Sequence, residues 1–253
     1  MSVLSIQSQV IDGHVGNSAA QFALQRQGFE VWAVPTALLS HHPGHGRPAG
    51  RTLAAAEIDA FVGSLAARGR LAAASALLSG WLGSADNARA AMDAAAKVKA
   101  ANPAAPWLLD PVIGDEGAGV YVEPELAEFL RAEALPSADI VTPNRFEAEW
   151  LAERRIATLA DALAAADGLR RRGPSIVVIT SLEHEGLEPE DTDRARLATL
   201  AVAPEGAWLA STPRLARVPH GAGDLFAALF LARRLKGRGV KKALAFAVAA
   251  TLE

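Results

Sequence analysis

Cysteine is absent from the 253 residues of this chain, which excludes disulfides, thiol catalysis and metal sites that use cysteine. The formal net charge is only −3 and no basic stripe is present, so nucleic acid is not an expected partner. The sequence also lacks an apolar run long enough to span a membrane and a charged leader of the secretory type. We therefore expect a cytoplasmic protein that has no membrane partner.

Two common phosphate-binding signatures are missing as well. No Gly-x-x-x-x-Gly-Lys-Ser/Thr occurs, so the chain is not a P-loop protein. Gly44-His45-Gly46 has no third glycine at the offset that the dinucleotide pattern Gly-x-Gly-x-x-Gly requires, and it does not closely follow a predicted strand. Any phosphate site must therefore be built in another way.

Short apolar and β-branched runs alternate with helical patterns along a chain that is 51% apolar and 21% charged. Predicted strands cover residues 3–8, 30–36, 74–79, 107–110, 139–142 and 175–180, and residues 197–202 and 207–211 are expected to form a β pair. Asn17 or Ser18 is the expected cap of the first helix, and residues 38–51 are expected to form a long loop. The alternation predicts one α/β domain over residues 1–253, with a mostly parallel central sheet covered on both faces by helices.

One turn stands out near the end of the chain. Pro219-His220-Gly221-Ala222-Gly223-Asp224 precedes a helical pattern in which Leu and Phe recur at three- and four-residue spacing. The first N–H groups of a helix have no partner inside it and carry partial positive charge, so a glycine turn at this position can hold an anion. Asp224 lies at the mouth of that turn, where it either caps the helix or acts as a base beside a bound phosphate.

Polar residues follow most of the predicted parallel strands. In open α/β sheets ligands bind beyond the carboxyl ends of the strands, so these residues are expected to share one edge although they are far apart in sequence. They are Ser8, Gly80-Trp81, Asp110, Thr142 to Asn144, Thr180-Ser181 and the turn Gly221 to Asp224.

Five stretches carry a resemblance to a known family. They are Ser5-Ile6-Gln7-Ser8 with Gly13-His14-Val15-Gly16-Asn17, Leu78-Ser79-Gly80-Trp81-Leu82-Gly83-Ser84, Asp110-Pro111-Val112-Ile113-Gly114-Asp115, Thr142-Pro143-Asn144-Arg145-Phe146-Glu147 and Gly221-Ala222-Gly223-Asp224. Together they resemble the pyridoxal kinases of the ribokinase-like superfamily, over residues 3–235. The last stretch is shared by the whole superfamily, whereas the first two are more particular to pyridoxal kinases.

The resemblance implies an enzyme that uses ATP to phosphorylate the 5′-hydroxyl of pyridoxal, and with it a ribokinase-like three-layer αβα fold and a homodimer. Asp224 would be the base within the catalytic turn Gly221, Ala222 and Gly223, and the N–H groups of Ala222, Gly223 and Asp224 would hold the phosphoryl charge. The remaining expected site residues fall into three groups. They are Ser8, Val15, His42 and Trp81 for the substrate, Asn144, Thr180 and Ser181 for the nucleotide, and Asp110, Asp115, Thr142 and Glu147 for Mg²⁺ and a monovalent cation, K⁺ or Na⁺.

Several alternatives stay open from the sequence. The family's Ser-Asn-His-Thr loop reads Ser40-His41-His42-Pro43 here, which removes a hydroxyl near the expected pyridoxal site. The histidines of this loop also permit a metal site, although no fourth ligand is evident. A related kinase for hydroxymethylpyrimidine or another small alcohol would keep the same phosphate machinery, and a non-catalytic pyridoxal phosphate-binding protein would keep the fold. The preferred vitamer, the nucleotide and the oligomer are not decided by the sequence.

Overall fold

The computed structural model describes residues 1–183, 196–215 and 218–252. Its strands are β1 (Ser2–Asp12), β2 (Glu30–His41), β3 (Gly50–Thr52), β4 (Ala74–Ser79), β5 (Trp107–Leu109), β6 (Gly114–Asp115), β7 (Gly119–Val120), β8 (Ile140–Val141), β9 (Ile176–Glu183), β10 (Arg196–Ala203) and β11 (Gly206–Pro213). Its α-helices are α1 (Asn17–Arg26), α2 (Ala55–Ala67), α3 (Ala85–Ala101), α4 (Pro124–Phe129), α5 (Leu135–Ser137), α6 (Arg145–Ala152), α7 (Leu159–Arg170), α8 (Ala222–Leu235) and α9 (Val240–Leu252). A π-helical segment, Leu130–Ala134, joins α4 to α5, and short 3₁₀ turns cover Pro43–His45 and Arg70–Ala73.

In the described part of the chain, nine strands form one sheet in the order β11-β10-β9-β8-β5-β4-β1-β2-β3. The central strands from β9 to β2 pair in parallel, whereas β3, β10 and β11 add antiparallel edges. The strands β6 and β7 form a separate two-stranded hairpin. The expected mostly parallel sheet is therefore confirmed, as is the β pair near the end of the chain.

Helices cover both faces of the sheet, because successive residues of a buried strand point to opposite sides. Val3 packs in a cluster with α1, α8 and α9, whereas Leu4 packs in the cluster that contains α2, α3, α4, α6 and α7. Val178 and Val177 repeat the same alternation on β9. The result is the expected three-layer αβα sandwich.

Local capping signals explain where several helices begin. The Ser84 side chain accepts a hydrogen bond from the Asn87 N–H at the start of α3. Thr158 and Asp161 form a capping box at the start of α7. Because these caps are local, the sequence alone places both helix starts.

Two expectations about the first third of the chain are wrong. The cap of α1 is Gly16, not Asn17 or Ser18, because Asn17 is fully buried and its side chain bonds to the sheet instead. Residues 38–51 are not one long loop, because β2 continues to His41 and residues 50–52 return beside it as β3. The loop that remains is only the segment around Pro43–His45.

Among the described residues, none of the helices has both the length and the apolar character needed to cross a membrane.

Candidate active site

The carboxyl ends of the parallel strands bring the expected site residues to one edge of the sheet. Since the strands lie in the order β9-β8-β5-β4-β1, the site residues that they carry take the same order. Asn144, Asp110, Gly80 and Trp81 follow their strands as expected, and Thr142 comes directly after β8. Thr180 and Ser181 instead lie within β9, and Ser8 lies within β1, because both strands extend further than the sequence predicted. The residues expected to hold nucleotide therefore lie at one end, and Ser8 and Trp81 lie at the other.

The glycine turn before α8 is packed tightly against the loop after β1. Gly221 is the N-cap of α8 and has φ 94°, a left-handed conformation that favours glycine. A Cβ at this position would collide with the His14 carbonyl oxygen and would come within 3.3 Å of Val15 Cα. Only glycine fits here, and no side chain occupies the capping position of the helix. The free N–H groups at this helix start remain suited to an anion.

Asp224 lies in the first turn of α8, partly buried. Burial raises the pKa of its carboxyl from 3.8 to about 6, although the N–H groups of Gly16 and of Asp224 itself favour the charged form. A carboxylate with a pKa near 6 is mostly ionised at neutral pH and is basic enough to accept a proton from a bound hydroxyl. The residue therefore has the properties of a general base.

Asp110 and Thr142 meet at the middle of the sheet edge. The Thr142 hydroxyl donates a hydrogen bond of 3.1 Å to Asp110 Oδ1, and a Cβ at Gly223 would lie 4.0 Å from Asp110 Oδ2. Asp110 thus faces the turn that precedes Asp224. Burial raises its pKa well above the ordinary value, and the nearby charges of Glu147 and Asp224 raise it further.

Glu147 forms hydrogen bonds to the segment after β5 and to the residue before α6. Its Oε1 accepts hydrogen bonds from the N–H groups of Ile113 (2.8 Å) and Gly114 (3.4 Å), and its Oε2 accepts one from Asn144 (2.9 Å). Burial raises its pKa to about 7, against the effect of these three bonds. Val112 precedes Ile113 and Gly114, the two residues whose N–H groups bond to Glu147. It has φ 41°, which is a strained conformation for a β-branched residue.

The residues expected to bind nucleotide lie together, with Asn144 just after β8 and Thr180 and Ser181 in the second half of β9. Asn144 forms a parallel bridge to Thr180 and donates its side-chain N–H to the Gly114 carbonyl at 2.8 Å. Ser181 is exposed and has φ 57°, a left-handed conformation that is uncommon for serine. Asp115 is exposed on the β6–β7 hairpin, and its charge contributes to the raised pKa of Glu147, so the hairpin lies beside the acidic group.

The loop after β1 folds back on the strand at the end of the edge that carries Ser8, Val15, Gly16 and Trp81. We call this end the substrate side, after the role expected for Ser8, Val15 and Trp81. Ser8 is almost fully buried, and a Cβ at Gly16 would lie 2.6 Å from its hydroxyl oxygen. Trp81 is half-buried, and its ring lies against Gly83, where a Cβ would be 2.9 Å from the ring and 2.9 Å from Thr52 Cγ2. Trp81 is therefore at the sheet edge and outside the two buried core clusters.

His42 belongs to a cluster of three imidazoles. Its ring stacks on His220 with 4.0 Å between centroids, and His45 lies 5.3 Å from His220 and 6.2 Å from His42. Burial and its two histidine neighbours lower the pKa of His42. The cluster joins the Pro43–His45 segment to the residue before Gly221. Within residues 1–183, 196–215 and 218–252 we find no group of three or more His, Asp or Glu side chains arranged to hold a metal ion.

Four neighbours of this site were not identified from the sequence as functional residues. Gly16 contacts both Ser8 and Asp224, and Gln7 presses its Oε1 against Gly80. Burial and nearby carboxylates, first Glu147 and then Asp110, raise the pKa of Tyr121. The fourth neighbour is His220. Loop conformations bring these residues to the site, and the sequence gives a local signal for Gly16 only, because Gly13 and Gly16 mark a turn after β1.

Comparison with known proteins identifies the family. A family model described as phosphomethylpyrimidine kinase matches residues 73–252. A pyridoxal kinase (PdxY) from Rubrobacter xylanophilus is 46% identical over 244 residues, which cover 96% of this chain and 83% of that relative. The chain belongs to the pyridoxal kinase family. A second member of this family, from Deinococcus radiodurans, is 44% identical over 98% of this chain and 84% of its own length.

Solved structures of pyridoxal kinases have the same fold. The pyridoxal kinase from Leishmania donovani, in complex with ADP and pyridoxine, has a TM-score of 0.89 at 31% identity and covers 99% of this chain and 84% of its own chain. The pyridoxal kinase from Entamoeba histolytica, 24% identical, has a TM-score of 0.90. The resemblance and the fold class expected from the sequence are both confirmed.

Proposed function

We propose that this member of the pyridoxal kinase family transfers the γ-phosphoryl group of ATP to the 5′-hydroxyl of pyridoxal. The observation that carries the proposal is the position of Asp224. On one side it faces the Gly16 N–H, which is packed against Ser8, and on the other it follows the glycine turn that faces Asp110. A base between an alcohol-binding side and an anion-binding turn is the arrangement that transfer to an alcohol requires.

The proposed reaction moves one proton and one phosphoryl group. The Asp224 carboxylate takes the proton of the 5′-hydroxyl as its oxygen forms a bond to the γ-phosphorus. The bond between that phosphorus and the β–γ bridging oxygen breaks, and ADP leaves. The N–H groups of Ala222 and Gly223 receive the charge that builds on the phosphoryl oxygens, where one such donor is typically worth roughly 10²–10³ in rate. The Asp224 N–H, which now faces its own carboxylate, would join them once that carboxylate turns to the substrate hydroxyl.

The acidic residues of the site fit a divalent cation. Asp110, Glu147 and Asp224 are carboxyls with raised pKa values, and no ion pair among the described residues supplies any of them with a cationic side chain. Mg²⁺ is usually held by one or two carboxylates together with substrate phosphates, so a full cage of protein ligands is not needed. Asp110, with the Thr142 oxygen, would hold it directly, and Asp115 and Glu147 would act around it. When bound, the ion would neutralise charge on the transferred phosphoryl group.

A second candidate has one observation in its favour. The matching family model is described as phosphomethylpyrimidine kinase, not as pyridoxal kinase. That match begins at residue 73 and therefore leaves out Ser8, Val15 and Gly16, which form the substrate side. The curated relatives named pyridoxal kinase match 96% and 98% of the chain, which includes most of this region. Pyridoxal is thus the better supported substrate.

An ADP-release assay on the purified protein tests the proposal. The panel contains pyridoxal, pyridoxine, pyridoxamine and hydroxymethylpyrimidine, each with ATP and with or without Mg²⁺ or K⁺. We expect the largest kcat/KM with a B6 vitamer and a requirement for Mg²⁺. Preference for hydroxymethylpyrimidine would support the second candidate. Binding of pyridoxal phosphate without ADP release would indicate a non-catalytic binding protein.

The homodimer expected from the resemblance belongs to the same proposal. Light scattering on the eluting protein measures its mass, and a mass near twice 26.4 kDa is the expected result. A monomer that retains full activity would contradict the dimer and leave the proposed reaction standing.

A further inference from the structure

The Asn17 side chain makes three buried hydrogen bonds beneath the candidate active site. Asn17 is the first residue of α1 and has no exposed surface. Its Oδ1 accepts a 2.7 Å hydrogen bond from the Ser5 hydroxyl, and its Nδ2 donates to the carbonyl oxygens of Gln7 (3.0 Å) and Val34 (3.3 Å). Gln7 Nε2 completes the group with a 2.8 Å bond to the Ser5 hydroxyl.

These bonds lie where the ladder between β1 and β2 is irregular. The register shifts between Gln7 and Gln9, and Pro35, the residue opposite Gln7, has no N–H to donate. Backbone carbonyls at such a break need a donor from elsewhere, because a buried carbonyl without a partner is costly. The Asn17 amide supplies that donor to both strands at once and so fixes the start of α1 on the sheet.

Gly16, the residue just before Asn17, touches both parts of the reaction site. Its φ of 55° and ψ of −134° place it so close to Ser8 that a Cβ would collide with the Ser8 carbonyl oxygen. Its N–H faces the carboxylate of Asp224. A small shift of the start of α1 would therefore move the contact to Ser8 and the contact to Asp224 together.

We propose that Asn17 is a positioning residue for the reaction, which holds Gly16 between Ser8 and Asp224 through its bonds to Ser5, Gln7 and Val34. The proposal rests on the proposed function. It assigns Asn17 no contact with substrate. It predicts that loss of the Asn17 amide weakens pyridoxal binding and proton transfer to Asp224. Nucleotide binding at Asn144, Thr180 and Ser181 should stay intact.

Asn17→Ala tests the proposal against a matched control. The control is Asn87→Ala, because Asn87 is also buried in the first turn of a helix and donates its Nδ2 to two backbone carbonyls, of Leu53 and Leu82. Both variants should lose thermal stability. At a temperature where both are folded, kcat/KM for pyridoxal should fall roughly 10- to 100-fold in Asn17→Ala only, since displacements of about 1 Å cost that much. The affinity for ADP, measured by calorimetry, should stay within about twofold of the parent.

A purely structural role gives a different result. It predicts that both variants melt earlier and that Asn17→Ala keeps parental kcat/KM below its melting temperature, which would overturn the proposal. An equal loss of ADP affinity would also overturn it, because the damage would then be general. If Asn17→Ala does not fold, Ser5→Ala removes the donor to Asn17 Oδ1 together with the acceptor of Gln7 Nε2, and it should lower kcat/KM roughly 2- to 10-fold. Parental kcat/KM in Ser5→Ala would then count against the proposal.

Calorimetric binding of pyridoxal separates this proposal from the proposed function. If the parent protein binds pyridoxal but releases no ADP, the proposed reaction fails. Weaker pyridoxal binding in Asn17→Ala, with unchanged binding in Asn87→Ala, would still support positioning of the alcohol side. Equal pyridoxal affinity in the parent and in Asn17→Ala would overturn it.

Discussion

The substrate side and the acidic side of the candidate site satisfy their buried polar groups in opposite ways. On the substrate side, Ser5, Gln7 and Asn17 are neutral and bond to one another and to the backbone. On the acidic side, Asp110 lies near both Glu147 and Asp224, and burial together with repulsion from neighbouring carboxylates raises the pKa values of Asp110 and Glu147. Neutral, satisfied networks are rigid, whereas crowded carboxylates favour protons or cations.

This difference separates two tasks within one site. On the substrate side, the network of Ser5, Gln7 and Asn17 contains no titratable side chain. On the acidic side, added positive charge would stabilise the charged state of the carboxyls, and a nucleotide-bound cation would provide it. Changes on the substrate side should therefore alter affinity for the alcohol and turnover, and changes on the acidic side should alter the response to metal and to pH.

Asp224→Asn should have the largest effect, because Asp224 is where the two sides meet. Asparagine keeps the shape but cannot accept the proton, so kcat should fall by roughly 10²–10⁴-fold with little change in affinity for pyridoxal or ATP. The melting temperature should not fall, because Gly221 and not Asp224 holds the capping position and the charge of Asp224 is disfavoured by burial. Steady-state kinetics and thermal melting measure the two quantities.

Asp161→Asn is the control, since Asp161 holds the same third position in α7 and accepts hydrogen bonds from Thr158. It should lose up to about 1 kcal/mol of stability and keep parental turnover. A stable Asp224→Asn variant with near-parental kcat would remove Asp224 from the mechanism.

Glu147→Gln should change the metal requirement. The Mg²⁺ concentration for half-maximal activity should rise roughly 10- to 100-fold, as is typical when a group supporting a metal is altered, while the KM for pyridoxal changes little. The amide would also place donors against the N–H groups that Glu147 now accepts, so some stability should be lost. Glu149→Gln is the control, because Glu149 lies on the same helix and accepts the Ile156 N–H away from the site. An unchanged metal titration would assign Glu147 a structural role only.

The melting temperature without metal should fall as the pH rises. The folded-state pKa of Glu147 is about 7 and that of Asp224 about 6, both above their ordinary values, so the folded protein binds protons more tightly than the unfolded chain. The contribution of these two carboxyls to stability is then greatest at low pH and is lost as the pH rises through these values, by on the order of 2 kcal/mol between pH 5 and 8. Mg²⁺ should reduce this loss. If the melting temperature fell with pH equally steeply in EDTA and in Mg²⁺, a cation on the acidic side would be contradicted.

The layers of the fold could be predicted from the sequence because their signals are local. The strand and helix patterns, Ser84 and Thr158 as caps, and the glycine turn before α8 can each be recognised within a few residues. The rule that ligands bind beyond parallel strand ends then predicts that Asp110 and Thr142 share one edge of the sheet, although 32 positions separate them in sequence.

What the sequence could not predict depends on contacts between distant segments. Asn17 has the residue type of a helix cap, but the break in the ladder at Pro35 draws its side chain into the sheet. The histidine loop was too rich in glycine and proline to predict that β2 continues to His41. The stacking of His42 on His220 joins residues 178 positions apart in sequence, and no local pattern signals it.

Val112→Gly should have a smaller effect, and on stability. Val112 has φ 41°, where a β-branched residue is strained and glycine is not, so the free energy of unfolding should rise by about 1 kcal/mol. Val122→Gly is the control, because Val122 has no positive φ and its replacement should destabilise the protein. If the strain holds the loop in place for Glu147, kcat should fall a few-fold in Val112→Gly. A less stable Val112→Gly variant would show that the strain costs little.

Pyridoxal binding should change the environment of Trp81, which is the smallest expected effect. Trp81 follows β4 between Gly80 and Gly83 and is half-buried at the edge that carries Ser8. In a variant that keeps only this one of the five tryptophans, saturating pyridoxal should shield the indole from acrylamide quenching and shift its emission. The control keeps only Trp32, which pairs with Leu4 near the start of β1 at the opposite edge of the sheet, and its accessibility should not change. Unchanged accessibility of Trp81, in a variant that still binds pyridoxal by calorimetry, would remove Trp81 from the substrate side and leave Ser8 and Gly16 as its defining contacts.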